Sequence, residues 1–402
     1  MNGTLSISDA LSREWDAIVI GAGPAGSLAA RGLAERGRAI LLVESKAFPR
    51  PKVCGGCLNE RSLATMREAG VMSYIDKLGP VPLDRFCLAA GGRSATLRLP
   101  GGVAVSRIAM DAVLAQAAVE AGADFLPETT ATVGEVAAGS RVVRLESPGI
   151  AEEVTARVVV AASGLGGRSL SRLEGFRSEE DAASRIGIEA TLPDFPPFYE
   201  PGVIYMAVAP GGYVGLTRVE DGGLNVAAAV DSSTVRGAGG PGAAGMRILE
   251  EAGFPVAEDM REAEWRGTMK LTRRTPRRAG ERIFLVGDAA GYIEPFTGEG
   301  MAWALASGAG VVSLADESVS GWRTELAEAW EQRYTKLIQN RQRLCRCLAQ
   351  GLRRNWLVRT AVPALAAMPW LAKPIISRLN RTPEGASAEI ETTCISPETP
   401  GG

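Results

Sequence analysis

Residues 16–45 read DAIVIGAGPAGSLAARGLAERGRAILLVES, and this stretch decides the fold. The short apolar run from Ala17 to Ile20 predicts a buried β-strand, and Ser27 to Arg36 has the composition of a helix. Between them, glycines follow the spacing G-x-G-x-x-G, and a second strand is predicted from Ala39 to Val43. A strand, a glycine turn, a helix and a strand form the βαβ unit that binds dinucleotides at its turn. The sequence therefore predicts an α/β protein with a Rossmann-type domain.

Each glycine of the turn is required for a different physical reason. Gly21 allows a tight turn, Gly23 lets a pyrophosphate approach the backbone, and Gly26 lets the helix pack closely on the strand. Ala25 lies at the helix N-terminus, which offers unpaired N–H groups and a positive dipole end to phosphates. Glu44 follows the second strand, where an acceptor for a ribose hydroxyl is expected. This unit alone does not distinguish FAD from NAD.

A second motif lies far downstream, in RIFLVGDAAGYIEPFTGEGMAWALASGAG at 282–310. A strand predicted from Ile283 to Val286 ends just before Asp288, and a loop containing Pro295 and Gly298 leads into a helix from about Gly300. An acidic residue at the carboxyl end of a parallel strand points into the crevice where such sheets bind ligands. The helix N-terminus is suited to an anionic ring edge.

Composition and charge exclude several classes of protein. The chain has 402 residues, enough for two or three domains, and a formal net charge of -2, which argues against a dedicated nucleic-acid binder. It contains no histidine, so its own residues build no catalytic triad or zinc site that needs imidazole. The first residues, MNGTLSISDALSREW, have no secretory signal pattern, and we expect a cytoplasmic protein whose six cysteines are mainly free thiols.

The two motifs together are similar to those of a known superfamily. GAGPAG near the start and GDAAGYIEPFTGEGM near the end resemble the FAD-dependent oxidoreductases of the aromatic-hydroxylase fold, which includes the geranylgeranyl reductases. In that superfamily the aspartate matching Asp288 contacts the flavin's ribityl chain, and the segment matching Pro295 to Gly300 borders the isoalloxazine ring. VSRIAMDAVLAQAAVEAGADF resembles the superfamily's Arg and Asp segment, which implies that Arg107 lies near the flavin with Asp111 on the same helix. The resemblance implies FAD as cofactor, with NADPH or NADH as electron donor.

The segment PKVCGGCLNE, from Pro51 to Glu60, leaves several interpretations open. A zinc clip would need remote thiols to complete the ligands of Cys54 and Cys57, and a redox pair that exchanges electrons with flavin is a second interpretation. KVCGG also resembles a segment of geranylgeranyl reductase-like enzymes in which a cysteine followed by glycines lies beside the flavin. That resemblance implies a catalytic role for Cys54, as a proton donor on the substrate side. A small buried cysteine without chemistry is the plain structural alternative.

The remaining sequence predicts a discontinuous domain layout. GGYVGLTRVEDGGLNVAAAV has the pattern of a β-hairpin with Asp221 and Gly222 in its turn, whereas VRGAGGPGAAGM, at 235–246, has the composition of a mobile loop. We expect an FAD-binding domain made of residues 14–46, 107–173 and 281–317, an inserted, mostly antiparallel substrate domain made of 47–106 and 177–280, a C-terminal helical region at 318–382 and a disordered tail at 383–402.

These features favour an FAD-dependent oxidoreductase that uses NAD(P)H to reduce or hydroxylate a hydrophobic, isoprenoid- or polyketide-like molecule. The alternatives are an FAD-dependent aromatic monooxygenase and, more remotely, a flavin-binding protein without catalysis. Where the reductases typically show tryptophan and phenylalanine in the first hairpin strand, this chain has Tyr213, Gly215 and Leu216. Where many members of the superfamily carry an Asp-Gly pair, it has Ser163 and Gly164.

The C-terminal segment from Leu337 to Arg381 mixes basic residues with Leu, Ile, Val and Trp. Its longest uncharged run, Thr360 to Ala372, is shorter than the roughly twenty residues that span a bilayer. Basic and apolar residues on the same helices suit a surface at the lipid interface, and they equally suit helices that cap the substrate domain. We expect peripheral contact of these helices with the cytoplasmic face of a membrane.

Overall fold

The structure is a computed structural model that describes residues 1–380 apart from Pro295 and Thr297. The predicted flavin-bordering role of Pro295 and the predicted tail at 383–402 therefore lie outside the described residues. The strands are β1 Trp15–Ile20, β2 Ile40–Val43, β3 Cys57–Leu58, β4 Val81–Pro82, β5 Arg85–Ala90, β6 Arg93–Arg98, β7 Val103–Ala104, β8 Asp124–Leu126, β9 Thr130–Ala137, β10 Ser140–Ser147, β11 Ile150–Ala161, β12 Glu179–Glu180, β13 Ile186–Leu192, β14 Val203–Ala209, β15 Gly212–Arg218, β16 Leu224–Val230, β17 Arg266–Lys270, β18 Arg273–Arg274, β19 Ala279–Gly280 and β20 Ile283–Leu285.

The helices alternate with these strands and then continue alone at the C-terminal end. They are α1 Ile7–Leu11, α2 Pro24–Ala34, α3 Glu60–Glu68, α4 Met72–Asp76, α5 Arg107–Glu120, α6 Ser232–Ala238, α7 Pro241–Ala252, α8 Glu299–Ser320, α9 Thr324–Tyr334, α10 Asn340–Leu352, α11 Asn355–Ala367 and α12 Lys373–Asn380. A π-helical segment, Thr335–Gln339, joins α9 to α10, and a 3₁₀ turn, Pro369–Ala372, joins α11 to α12. Other 3₁₀ turns are Gly164–Gly166, Arg168–Leu170, Glu258–Met260 and Gly287–Ala290.

The first large sheet has a parallel core in the order β20, β11, β1, β2, β8. Strand β2 is buried along its whole length, as expected where helices cover both faces of a parallel sheet. Strands β9 and β10 extend β11 as an antiparallel ribbon, and β19 pairs antiparallel with β20 at the edge. The predicted Rossmann-type α/β architecture is confirmed.

The parallel strands end at one edge of this sheet, and the residues that follow them lie there. Gly21 follows β1, Glu44 follows β2, Ser163 comes two residues after β11, and Asp288 lies in the turn after β20. In open α/β sheets, the carboxyl edge of the parallel strands is where ligands bind. The four sequence positions, although distant along the chain, are therefore brought to one place by the sheet topology.

The second large sheet has the strand order β17, β13, β16, β15, β14, β5, β6. All its pairs are antiparallel except β14 with β5. The predicted hairpin is confirmed, because β15 pairs with β16 from Gly212 opposite Val230 to Arg218 opposite Leu224. The side chain of Asp221 accepts a hydrogen bond from the Gly223 N–H at 2.8 Å within its turn. A mostly antiparallel sheet inserted into the α/β fold agrees with the predicted fold class.

The mobile loop predicted at 235–246 is wrong, because this segment belongs to α6 and α7. Gly239, in the left-handed conformation, ends α6, and Pro241 occupies the first turn of α7, where its missing N–H costs no hydrogen bond. A Cβ atom added at Gly242 would overlap the carbonyl oxygen of Met260. The glycines thus permit close packing of α7, and this tertiary contact outweighs their low helix propensity.

The C-terminal helices pack back on the rest of the chain. Trp330 and Tyr334 of α9 are buried against the first sheet, and Trp330 Nε1 donates to the Leu285 carbonyl oxygen at 3.1 Å. Val358 and Val362 of α11 are buried among side chains of the second sheet. Among the described residues, no helix combines the length and the apolar character that crossing a bilayer requires.

Candidate active site

A continuous cavity of about 910 Å³ lies between the two large sheets and the C-terminal helices. One end is bordered by the carboxyl edge of the parallel sheet, including Gly21, Gly23 and Glu44. The other end is bordered by apolar side chains of the second sheet and of the C-terminal helices, among them Phe86, Leu88, Met206, Leu365, Leu371 and Ile375. The cavity therefore joins a polar compartment to an apolar one.

The glycine turn between β1 and α2 has a packed part and an open part. A Cβ atom added at Gly26 would overlap the carbonyl oxygen of Gly21, so α2 approaches the turn only because Gly26 has no side chain. At Gly23, the nearest atom to an added Cβ is Arg50 Nη2 at 3.7 Å, and both Gly23 and Ala25 line the cavity. The backbone at Gly23 is thus open to a bound molecule, as a pyrophosphate cradle requires.

Four charged side chains form a chain along the polar compartment. Arg50 donates to Glu44 Oε2 at 3.1 Å and to Asp111 Oδ2 at 2.9 Å. Arg107 holds the same Asp111 carboxylate through two hydrogen bonds, from Nε at 2.9 Å and from Nη2 at 2.8 Å. Glu44 also accepts from the backbone N–H of Ala22 at 3.2 Å. These contacts fix the Glu44 carboxylate beside the glycine turn, where a ribose hydroxyl is expected.

Asp288 and Lys52 are a second pair of opposite charges in this compartment, and both line the cavity. Burial raises the pKa of the Asp288 carboxyl, whereas Lys52 and then Arg107 act in the opposite direction. Burial also lowers the pKa of the Lys52 ammonium, and Asp288 opposes that shift. A Cβ atom added at Gly164 would lie 3.2 Å from Lys52 Nζ, so this ammonium faces the loop after β11 as well.

The N-terminus of α8 faces the cavity through Gly298 and Gly300. Gly298 has φ +69°, a left-handed conformation that favours glycine, and a Cβ atom added at Gly300 would lie 2.9 Å from the Tyr292 hydroxyl oxygen. Between them, Glu299 is fully buried and accepts from Asn59 Nδ2 at 2.7 Å and from Arg61 Nη1 at 3.5 Å. The helix therefore presents its first N–H groups and its positive dipole end to the cavity from an anchored position.

Cys54 lies on the cavity wall between the two compartments. Its sulfur accepts a hydrogen bond from the Gly56 N–H at 3.4 Å, and its side chain also interacts with Arg107. Asn225, on strand β16 of the second sheet, donates from Nδ2 to the Cys54 carbonyl oxygen at 3.0 Å. The cysteine is thus held both from α5 and from the second sheet.

Cys57 has different surroundings, although it also lines the cavity. Its Sγ donates to the Gly55 carbonyl oxygen at 3.3 Å, and burial, followed by the proximity of Cys54, raises the pKa of its thiol to about 12. Both cysteines are free thiols. Among residues 1–380, with the exceptions given above, no cluster of three or more cysteine or carboxylate ligands gathers around them to complete a zinc site.

The structure brings most of the predicted site residues to this one cavity. Gly26 lies behind the turn and packs against Gly21 rather than lining the cavity. Those that line the cavity are Gly21, Gly23, Ala25, Glu44, Cys54, Arg107, Asp288, Gly298 and Gly300.

Two groups of lining residues were not predicted from the sequence. Arg50 and Lys52 contribute cations to the polar compartment, and the signal for them was their position immediately before the CGG turn. The apolar side chains of α11 and α12 close the other compartment. The sequence analysis expected these helices either to cap the substrate domain or to lie at a lipid interface, but it did not identify which of their side chains line the cavity.

The parallel sheet, its open glycine turn and the carboxylates at its strand ends define a dinucleotide-binding α/β protein. The family model described as FAD binding domain matches residues 14–325. The chain belongs to this family, and it is an FAD-dependent oxidoreductase.

Several curated proteins are similar to the chain over most of its length. It is 29% identical over 355 residues to digeranylgeranylglycerophospholipid reductase 1 of Methanopyrus kandleri, which covers 80% of this chain and 87% of that protein. It is 28% identical over 338 residues to the menaquinone reductase of Mycobacterium tuberculosis, which covers 78% of each. Conditioned medium factor receptor 1 of Dictyostelium discoideum is 28% identical over 341 residues, covering 75% of this chain, and the match spans 63% of that longer protein.

Solved structures share the fold at lower sequence identity. A geranylgeranyl bacteriochlorophyll reductase-like protein from Thermoplasma acidophilum superimposes with a TM-score of 0.72 at 21% identity, covering 88% of this chain and 92% of that one. The flavin-dependent brominase Bmp2 superimposes with a TM-score of 0.73 at 18% identity, covering 92% and 94%. At these identities the likeness is one of fold.

Proposed function

We propose that this FAD-dependent oxidoreductase uses NADPH or NADH to reduce or hydroxylate a hydrophobic small molecule, in the manner of the geranylgeranyl reductases. The main support for this proposal is the cavity, which runs from the glycine turn past Cys54 into a compartment lined by apolar side chains. A long apolar compartment suits an isoprenoid- or polyketide-like substrate, because burial of apolar surface drives such binding. The two reductases named above, at 29% and 28% identity, support reduction as the first candidate.

The polar compartment supplies groups that fit FAD. The open backbone at Gly23 and the cations Arg50 and Lys52 suit the pyrophosphate, while Glu44 and Asp288 suit hydroxyls of the ribose and of the ribityl chain. When bound, FAD supplies hydride transfer, and it supplies oxygen activation if the enzyme is a hydroxylase. The chain's own residues bind and orient the reactants, keep water from the apolar compartment, and offer the Cys54 thiol as a proton source beside the substrate.

Replacing Lys52 by glutamine is expected to weaken FAD binding about tenfold, because a hydrogen bond to a charged group contributes about 1.5 kcal/mol or more. Lys52→Arg, which keeps the positive charge, should retain more of the affinity. The dissociation constant is measured by titrating flavin-free protein with FAD and following the quenching of flavin fluorescence. Lys336→Gln, at an exposed lysine outside the cavity, is the matched control. Equal affinities for Lys52→Gln and the unaltered protein would remove Lys52 from the phosphate site.

The reaction itself is tested by nucleotide consumption with and without oxygen. Menaquinone and a digeranylgeranylglycerophospholipid are suitable first acceptors, because they are named in the relatives' activities. We expect one of these to accelerate oxidation of NADPH or NADH, and a reductase continues without oxygen whereas a hydroxylase or other monooxygenase stops. Flavin-loaded protein that oxidises neither nucleotide faster with any hydrophobic acceptor tested would contradict the proposal.

Location on the cytoplasmic face of a membrane is part of this proposal. A water-insoluble substrate is stored in the lipid phase, so an enzyme that acts on it benefits from contact with that phase. Apolar side chains of the C-terminal helices line the cavity, and the same helices carry exposed basic side chains.

A further inference from the structure

Exposed large apolar side chains are concentrated on the C-terminal helices. We define the apolar patch as Trp356, Leu357, Met368, Trp370, Leu371 and Ile375, whose exposed fractions are 66%, 36%, 41%, 59%, 40% and 41%. In the part of the chain that the structure describes, the other exposed large apolar residues are separate from one another: Ile108 on α5, Phe198 between β13 and β14, and Met269 on β17. Scattered exposed apolar residues are ordinary, whereas a cluster of this kind marks an interaction surface.

All charged residues of the segment that carries the patch are Lys or Arg. No Asp or Glu occurs from Gln332 to Asn380. Exposed basic side chains are distributed along it at Arg343, Arg346, Arg354, Arg359, Lys373 and Arg378. A second copy of the chain presenting the same face would be repelled by like charge. An anionic surface is complementary to it, and tryptophan and arginine or lysine together are typical of the lipid interface.

The patch and the cavity share residues. The side chains of Leu371 and Ile375 are 40% and 41% exposed, and both also line the cavity. Leu365 of α11 and Ile376 and Leu379 of α12 are less exposed and line the cavity too. The same side chains, Leu371 and Ile375, belong to the exposed patch and to the cavity lining, so the apolar compartment borders the patch at these two residues.

We propose that the apolar patch docks on an anionic lipid bilayer and that substrate passes between the bilayer and the cavity at Leu371 and Ile375. This inference rests on the proposed function, because it supplies the route for a hydrophobic substrate. The basic side chains meet anionic headgroups, Trp356 and Trp370 lie at headgroup depth, and the cavity opening faces the acyl chains. A substrate that moves along this route does not cross water.

The docking is tested by co-sedimentation of the full-length, FAD-loaded protein with vesicles. We expect binding to phosphatidylglycerol-containing vesicles at low salt, weaker binding at high salt, and little binding to pure phosphatidylcholine. The double variant Lys373→Glu, Arg378→Glu should lower the affinity at least about twentyfold, since each basic residue near an anionic surface contributes about fivefold. Arg172→Glu, Arg261→Glu is the matched control, because both arginines are exposed and lie outside the patch and the cavity lining.

The contribution of apolar side chains to vesicle binding is tested with a matched pair of methionine substitutions. Met368 in the patch and Met269 on β17 are exposed to 41% and 49%. Met368→Ser should reduce vesicle binding, whereas Met269→Ser should leave it unchanged. If the unaltered protein fails to bind anionic vesicles, or if both members of each pair behave alike, the docking surface is not this patch.

The cavity opening is tested with a phospholipid that carries a photoactivatable diazirine in its acyl chain. After irradiation on vesicles, we expect crosslinked peptides from the patch and from cavity-lining positions 365–379. Vesicle binding with crosslinks only elsewhere, for example near Phe198, would overturn the proposed route. Flavin content and nucleotide oxidation are measured on the same samples, so that loss of docking with intact flavin is distinguished from failure of the proposed reaction.

Discussion

Replacement of Gly23 by valine is expected to yield a folded protein whose affinity for FAD is about a hundredfold lower or more. The space beside Gly23 is open, with Arg50 Nη2 the nearest atom at 3.7 Å from an added Cβ. A valine side chain would therefore extend into the cavity, where the motif brings the pyrophosphate against the backbone. Overpacking of fixed groups costs about 3 kcal/mol at the upper end of the usual range, which corresponds to roughly a hundredfold in affinity.

The ratio of bound flavin to protein after desalting measures this effect, together with circular dichroism and thermal melting of the flavin-free forms. Gly26→Ala gives an instructive contrast, because its Cβ would overlap the Gly21 carbonyl oxygen and should impair folding as well as flavin binding. Gly237→Ala, in α6 with open space around it, should change neither. A Gly23→Val protein that retains full flavin would show that the turn does not hold the pyrophosphate.

The α/β fold and the glycine turn were predictable because their determinants are local. The role of each glycine depends on a strand and a helix within ten residues of it. The β15–β16 hairpin is marked just as locally, by two β-rich runs on either side of an Asp-Gly turn. The convergence of Glu44 and Asp288 also followed, because both come after strands predicted to be parallel. The nearness of Arg107 and Cys54 to the same site came from the family resemblance rather than from the pattern.

Other features depend on tertiary contacts that a single sequence does not show. Helix α7 is glycine-rich, and it forms because Gly242 packs against the Met260 carbonyl oxygen in the fold. The role of Leu371 and Ile375 in the cavity wall depends on how the 3₁₀ turn Pro369–Ala372 and helix α12 fold back over the cavity, which the periodicity of these segments does not specify. The electrostatic influence of Lys52 and Asp288 on each other joins residues that are far apart along the chain.

The two cysteines of the CGGC turn are expected to differ in reactivity. Because the thiolate is the nucleophile, and the pKa of Cys57 is raised to about 12, this thiol should resist alkylation at neutral pH and react only as the pH approaches that value. Cys347, an exposed free cysteine, provides an internal reference. Iodoacetamide labelling from pH 7 to 9, followed by peptide mass spectrometry, measures the three thiols in one sample. Labelling of Cys57 as fast as Cys347 would contradict the raised pKa of its thiol.

Cys54→Ala is expected to leave FAD binding nearly intact and to slow turnover about a hundredfold to ten-thousandfold, the usual loss when a positioned acid or base is removed. The cysteine lies on the wall between the polar and apolar compartments, with Arg107 and Asn225 holding it from two sides. A thiol at this place is suited to deliver a proton to the substrate. Cys54→Ser, which keeps a donor of similar size, should recover part of the rate.

Cys57→Ala is the matched control, because Cys57 lines the same cavity, while its own thiol is engaged with the Gly55 carbonyl oxygen. We expect it to change turnover far less than Cys54→Ala. Rates are measured as nucleotide oxidation with the best hydrophobic acceptor, and the flavin spectrum of each variant confirms equal cofactor content. Equal large losses of turnover from both substitutions would favour a dithiol that exchanges electrons with FAD. No loss from either substitution would show that Cys54 only contributes to packing. A loss confined to Cys54, with partial recovery by serine and a solvent isotope effect on the rate of the unaltered enzyme, would identify the thiol as the proton donor.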